Sequence, residues 1–381
     1  MKKVLPLVFL IVFVSCKDEK KESLPFIQTS NASTIHYAKG FSVERSESGL
    51  TIIKVASPWP DTKTAFTYAL IPKDKMASMT LNKDEYDAIV AVPVERIVVT
   101  STTHIPALEA LGVGENLVGF PDTKYISSKK TRKRIDAGQI KELGKNEAIN
   151  TEMVLELDPE VLIGFGVAGQ NKAYATLQRA NIPVVYNGDW TEETPLGKAE
   201  WIKFFAPFFD KYMEADSIFK GVETSYLEAK ALAKTANKKP TVLSGALYKD
   251  VWYLPGGNSW AAKFFSDAHA DYLWSDTSET GSLSLSLESV LEKGKPAEFW
   301  ISPAQFTSYK AMNAANRHYL QFDAFKNRKA YSFAGTSGET EGLLYYELAP
   351  QRPDLVLKDL IHIFHPELLP DHEPFFFKPL D

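Results

Sequence analysis

Residues 96–120 read RIVVTSTTHIPALEALGVGENLVGF, and this stretch decides the architecture. Arg96 to Thr100 is a short β-branched run, the composition of a buried strand. Thr103 to Leu111 repeats apolar residues at helical spacing, with Ser or Thr as the cap and Gly112 as the stop. Leu117 to Phe120 is apolar again. A strand, a helix and a strand in so short a span predict a βα unit and a parallel sheet. Working outward, Glu160–Phe165 and Val184–Tyr186 continue the pattern. A second set of strands is expected at Thr241–Gly245, Val251–Leu254, Glu298–Ser302 and Lys329–Phe333. Between the sets, 195–236 carries no strand signal. It holds Trp201, Phe204, Phe205, Phe208, Phe209, Tyr212 and Met213 at three- and four-residue spacing, which predicts one long helix with a buried stripe. Towards the N-terminus, Phe41–Glu44 and Thr51–Val55 flank Ser48-Gly49 as a hairpin, and Ala65–Ile71 reads as a further strand. The expected fold is α/β: two parallel-sheet α/β lobes (37–194 and 237–381) joined by a single long helix (195–236), with an N-terminal β-rich extension.

The composition narrows the function. The chain has 381 residues, with 43 Lys plus Arg against 48 Asp plus Glu, a net charge of −5. That balance argues against nucleic-acid binding. Hydrophobic residues at 44% and charged residues at 24% suit a globular protein. Lys2-Lys3 and the apolar run Val4–Val14 form a secretory signal over 1–15, too short to span a bilayer as a helix. The run ends Phe13-Val14-Ser15-Cys16 at the only cysteine, so no intramolecular disulfide can form. This ending resembles a lipoprotein lipobox, which implies that Cys16 is the lipidated first residue of the mature chain. Residues 16–36 then form a charged tether, opening Lys17-Asp18-Glu19-Lys20-Lys21-Glu22. The charges directly after the cysteine resemble the surface-export signal of Bacteroidetes lipoproteins.

The two halves echo each other. Asn150-Thr151-Glu152-Met153-Val154-Leu155 precedes Asp158-Pro159-Glu160 and a strand. Ser286-Leu287-Glu288-Ser289-Val290-Leu291 precedes Lys295-Pro296-Ala297-Glu298 and another. Either glutamate alone is explained by the positive end of a helix dipole; the repetition of the whole unit is not. Together with 96–120 and Leu254–Trp274 (LPGGNSWAAKFFSDAHADYLW), these units resemble the substrate-binding proteins of bacterial ABC importers for ferric siderophores, haem and cobalamin, the class III periplasmic binding proteins. The resemblance runs from about Pro93 to the C-terminus. It implies a non-enzymatic, monomeric binding protein that delivers an iron complex or cobalamin to a permease dimer. It also implies that Glu152 and Glu288 dock the permease, although the second unit has one extra residue between its glutamate and its proline. With the lipid anchor, the expected location is the periplasm or the outer-membrane surface. No cofactor and no resident metal are expected.

Several motifs invite other readings. Gly164-Phe165-Gly166-Val167-Ala168-Gly169 follows a strand, and Asp189 lies 20 residues beyond Gly169. That is the pattern of a dinucleotide site, and an extracytoplasmic oxidoreductase is the alternative function. His362, His365 and His372 suggest zinc, but Asp359–Glu373 reads as a terminal helix stopped by Pro366, with a tail. A zinc or manganese importer component is disfavoured because the first-lobe loops offer only His104. Lys129-Lys130-Thr131-Arg132-Lys133-Arg134 reads as a solvated helix face with Asp136 and Glu142 nearby.

With two lobes on a stiff connector, a ligand lies between them at the strand ends. The candidate contacts are Ser101, Thr102, His104, Phe165 and Trp190 in the first lobe. In the second they are Tyr248, Trp252, Trp260, Trp274 and Tyr309. Aromatic faces suit a flat, bulky ligand. No arginine stands in these loops to clamp a carboxylate bidentately, which favours neutral or aromatic chelates over citrate types.

Overall fold

The computed structural model describes residues 34–381 apart from 61, 168 and 170. The signal, Cys16 and most of the tether lie outside the described residues. The expected hairpin forms from β1 (Phe41–Arg45) and β2 (Thr51–Ala56), with Phe41 opposite Val55 and Gly49 at φ +88 in the turn. β3 (Ala65–Pro72) pairs antiparallel with β2, and β4 (Ala88–Val92) lies parallel to β3. These four strands are the β-rich extension.

The first lobe then follows the βα grammar of its sequence. β5 (Ile97–Val99) is wholly buried and leads to α1 (His104–Ala110). Gly112 ends that helix at φ +73, a conformation glycine adopts without a Cβ penalty. β6 (Leu117–Phe120), α2 (Lys129–Asp136) and three two-residue strands follow: β7 (Lys141–Glu142), β8 (Gly144–Lys145) and β9 (Ala148–Ile149). α3 (Thr151–Leu157), β10 (Val161–Gly164), α4 (Lys172–Arg179) and β11 (Val184–Tyr186) complete the lobe. Its sheet runs β11-β10-β5-β6-β7, parallel throughout.

The connector differs from expectation. The single helix expected over 195–236 is three: α5 (Pro195–Glu200), α6 (Ile202–Phe209) and α7 (Tyr212–Ala233). Pro207 lies inside α6 and lacks the N–H that would sustain it, and Asp210 ends it at φ +54. α6 is buried on every side, so its aromatic residues are core of the first lobe. α7 spans the lobes, and the short α5 touches both cores through Leu196 and Ala199. Its 22 residues reach about 33 Å at 1.5 Å per residue. Ala215, Phe219 and Val222 sit in the first lobe's core; Tyr226, Ala229 and Ala233 sit in the second's.

The second lobe opens with β12 (Thr241–Ser244), β13 (Ala246–Tyr248) and β14 (Val251–Pro255). α8 (Trp260–Asp267), β15 (Asp271–Tyr272), β16 (Ser282–Leu285), α9 (Leu287–Gly294) and β17 (Phe299–Ile301) follow. The chain ends through α10 (Tyr309–Ala315), α11 (Asp323–Lys326), β18 (Ala330–Ser332), α12 (Leu344–Leu348), α13 (Pro353–Phe364) and β19 (Lys378–Pro379). The main sheet runs β15-β12-β17-β18-β19, parallel except for β19. Val251–Leu254 does not join it. That strand belongs to a separate antiparallel sheet, β13-β14-β16.

The repeated sequence units occupy matching places. α3 leads into β10, which lies beside its lobe's first strand β5; α9 leads into β17, which lies beside β12. The N-terminal lead-in is moored by two carboxylates. Glu200, fully buried, accepts the N–H groups of His36, Tyr37 and Ala38 and pairs with Lys203. Glu192 accepts those of Lys39 and Gly40 and the indole N–H of Trp201. Such satisfaction is what lets a carboxylate stay buried.

Candidate functional site: a two-basin cleft between the lobes

The carboxyl ends of the first lobe's parallel strands open onto a cleft shared with the second lobe. Its first basin, about 640 Å³, is lined by Thr100 to Thr102 after β5, Phe120 to Asp122 after β6, and Phe165 after β10. The second lobe closes it with Gln305 and with Glu341 to Leu343 and Tyr346. Tyr125 and Tyr346, 44% and 52% exposed, come from opposite lobes. The second basin, about 520 Å³, lies between Trp190 to Glu193 of the first lobe and Ser259, Trp260 and Thr280 to Ser282 of the second. Neither basin has a lysine, arginine or histidine among its lining residues, whereas Asp122, Glu192, Glu193 and Glu341 are present.

A strap from the second lobe holds one edge of the first basin. Glu341 pairs with Lys124 at 2.8 Å and donates its backbone N–H to the Lys124 carbonyl at 3.2 Å. The Thr340 hydroxyl donates to the same carbonyl. Behind the strap, buried Glu347 on α12 accepts the N–H groups of Ser127 at 2.5 Å and Ser128 at 2.9 Å. Burial pushes the Glu347 carboxyl up to about 7 and outweighs these two N–H donors, with Glu109 nearby adding to the rise.

Ser101, Thr102 and Phe165 line the first basin, and Trp190 and Trp260 line the second. The other five expected contacts lie elsewhere. His104 is fully buried with its ring 5.3 Å from Phe205, and burial lowers it to about 4. Trp252 points into the core because β14 alternates: Trp252 and Leu254 face in and Tyr253 faces out. Its ring stacks on Trp300 at 5.4 Å, and its indole N–H donates to the Ser244 carbonyl. Trp274 is buried against Gly294, and Tyr309 is buried with its hydroxyl accepting the Ala330 N–H. Tyr248 is 66% exposed at the β13–β14 turn and lines neither basin. Sequence reasoning missed Tyr125, Asn146, Glu341 and Tyr346. Tyr346 follows Tyr345 in an apolar helix, and only the turn of α12 separates the exposed ring from the buried one.

At two glycines of the string, side chains occupy the space a pyrophosphate would approach through. A Cβ on Gly164 would meet the Tyr174 ring at 2.5 Å, and one on Gly166 would meet Trp59 at 2.6 Å, so side chains already fill the approach. Of the basic run, Arg132 and Arg134 hold backbone carbonyls of Thr123, Gly114, Glu115 and Leu117, while Lys129, Lys130 and Lys133 are exposed. His362 contacts the Leu369 carbonyl and His372 pairs with buried Asp359. His365 is buried near the Ala268 carbonyl, past the end of α13.

Glu152 and Glu288 hold the same position, two residues after the caps Asn150 and Ser286, which accept the Met153 and Ser289 N–H groups. Both are exposed. Neither glutamate lines either basin. The Glu288 backbone N–H, followed by Ser286, holds its carboxyl below the usual range.

Two lobes on one spanning helix, with a shared cleft at the strand ends, define a solute-binding architecture. Residues 97–334 match the periplasmic binding protein family, and the chain belongs to it. A lipoprotein of Methanocaldococcus jannaschii is 29% identical over 299 residues, 76% of this chain and 69% of its own length. The periplasmic haem-binding protein of Roseiflexus sp. RS-1 has a similar fold, with a TM-score of 0.56 at 20% identity over 72% of this chain and 99% of that one. A possible iron-binding periplasmic protein of Staphylococcus epidermidis scores 0.55 at 17% identity, over 72% and 99%. Among the described residues no helix is long and apolar enough to cross a membrane.

Proposed function

We propose that this protein captures a bulky, flat metal chelate (a ferric siderophore, haem or cobalamin) in the interlobe cleft and hands it to an ABC permease dimer. The observation that carries this reading is the lining of the cleft: exposed aromatic rings from both lobes and carboxylates, without a cationic side chain. Such a surface favours conjugated ligands that need no cationic clamp over citrate-like anions, which do. Glu152 and Glu288 are the docking carboxylates, and a lipid on Cys16 holds the monomer at a membrane outside the cytoplasm. The solved relatives with this fold include haem- and vitamin B12-binding proteins, which supports the ligand class.

The test is an absorption spectrum of the protein purified from its own host, followed by titration with haemin, cyanocobalamin, a neutral ferric hydroxamate and ferric citrate. A chelate band, and binding of one of the first three that weakens in Tyr125→Ala or Tyr346→Ala, is expected. Preference for ferric citrate would overturn the ligand class.

A further inference from the structure

The N-terminal sheet does more than cap the first lobe. Ser57 turns the chain at φ +50 just after β2, and the corner Pro58-Trp59-Pro60 presses onto the loops that follow β10 and β11. Trp59 is 7% exposed, and its ring lies 5.3 Å from Tyr186, the last residue of β11. Its indole packs against Gly166 so closely that any Cβ there would collide. Pro58 lies against Gly188, where a Cβ would stand 3.0 Å from the Pro58 Cα. Tyr68 of β3 adds a hydrogen bond, its hydroxyl accepting the Tyr186 N–H at 2.9 Å. Two residues past Gly188 stands Trp190, one wall of the second basin; Pro60 itself lines that basin. Lys198 ties the far wall to the near one. Its ammonium donates to the Asp189 and Trp190 carbonyls and lies 5.3 Å from the Trp260 ring centre. The corner lies outside the segment 97–334 that matches the family.

We propose that the N-terminal sheet is a working part of the ligand cleft. Its Pro58–Pro60 corner props the Asn187–Trp190 loop and, with Trp190 and Trp260, forms an aromatic subsite for a flat conjugated edge of the ligand. This rests on the chelate-binding reading of the cleft. The subsite offers no cationic clamp to an anionic substituent, because the Lys198 ammonium is held beneath the walls by the two carbonyls. Aromatic and proline faces supply contact area at small entropic cost, so the subsite sets which edge of a chelate enters.

The full mature chain is compared with Trp59→Leu, Pro60→Glu and Trp190→Ala. Amide hydrogen exchange at residues 186–190 is expected to speed up at least about tenfold in Trp59→Leu, with exchange in β12 unchanged as the control for folding. Unchanged exchange at 186–190 overturns the propping role, and faster exchange in β12 as well overturns a role local to the cleft. Haemin and cyanocobalamin are titrated by tryptophan quenching. The probe that binds the wild type is expected to weaken about tenfold in Pro60→Glu and Trp190→Ala, the loss of one aromatic-scale contact. Equal binding by all chains overturns the subsite while leaving the cleft reading intact. If neither probe binds the wild type, the chelate reading falls and takes the aromatic subsite with it, whereas the exchange data still decide the propping role.

Discussion

At the scale of single residues, the lobe contact is a sensitive place. Gly342 sits so near the Tyr125 carbonyl that an added Cβ would lie 2.1 Å from its oxygen. Gly342→Val is expected to force the strap away from the first lobe, lowering stability by about 1–3 kcal/mol, an overpacking cost. The urea midpoint reads this, and weaker ligand binding should accompany it. Glu347 makes the same contact responsive to pH. Its carboxyl is raised from the ordinary 4.5 to about 7, so the folded state holds the proton more tightly than the unfolded one. Its contribution to stability is therefore fully present below about 4.5 and lost as pH rises through about 7, on the order of 3 kcal/mol in all. Urea melts between pH 5 and pH 8 should slope downward in the wild type and flatten in Glu347→Gln; parallel slopes would remove the assignment. Residue roles were the least legible part of the sequence. The position of Ser101, Thr102, Phe165 and Trp190 beside the cleft was legible because strand ends in α/β sheets face it. Trp252 and Tyr346 were not, because composition records an aromatic ring but not which face of its element meets water.

At the scale of elements, strands and caps were readable and continuity was not. The hairpin, the βα units and the paired α3 and α9 follow from turn residues, caps and periodicity that act locally. The break between α6 and α7 turns on Asp210 adopting a left-handed conformation, which the aromatic periodicity on either side conceals. Likewise β14 has the apolar alternation of a sheet strand, but only its partners β13 and β16 show that the sheet is a separate one. α7 still makes one uninterrupted span between the lobes, so hinge closure should be small. Scattering curves with and without ligand should nearly superimpose. A large ligand-induced fall in radius of gyration would falsify the stiff connector.

At the scale of the whole molecule, the matched helix starts set a test of docking. Glu152→Gln with Glu288→Gln should leave ligand affinity unchanged and cut uptake in cells, each single change less so. If docking is carried by the negative charge, reversal to lysine should cut uptake further than the Gln changes do. If the two glutamates serve only their helix ends, each change costs tenths of a kcal/mol and transport stays normal. Cys16→Ala should release the protein from the membrane fraction; a wild-type chain found free of lipid mass removes the anchor.

The way α7 is shared between the cores also governs how the protein comes apart. Ala215, Phe219 and Val222 cannot leave the first lobe's core without loosening the helix that carries Tyr226, Ala229 and Ala233 in the second. Tyr226 is further held by its hydroxyl on Asp267, which also pairs with Lys230. Neither lobe can melt and leave the other with a finished surface. Calorimetry should therefore record one heat-absorption peak with equal calorimetric and van't Hoff enthalpies. The chain is then expected to be either whole or open to proteases from end to end, with no lobe surviving alone.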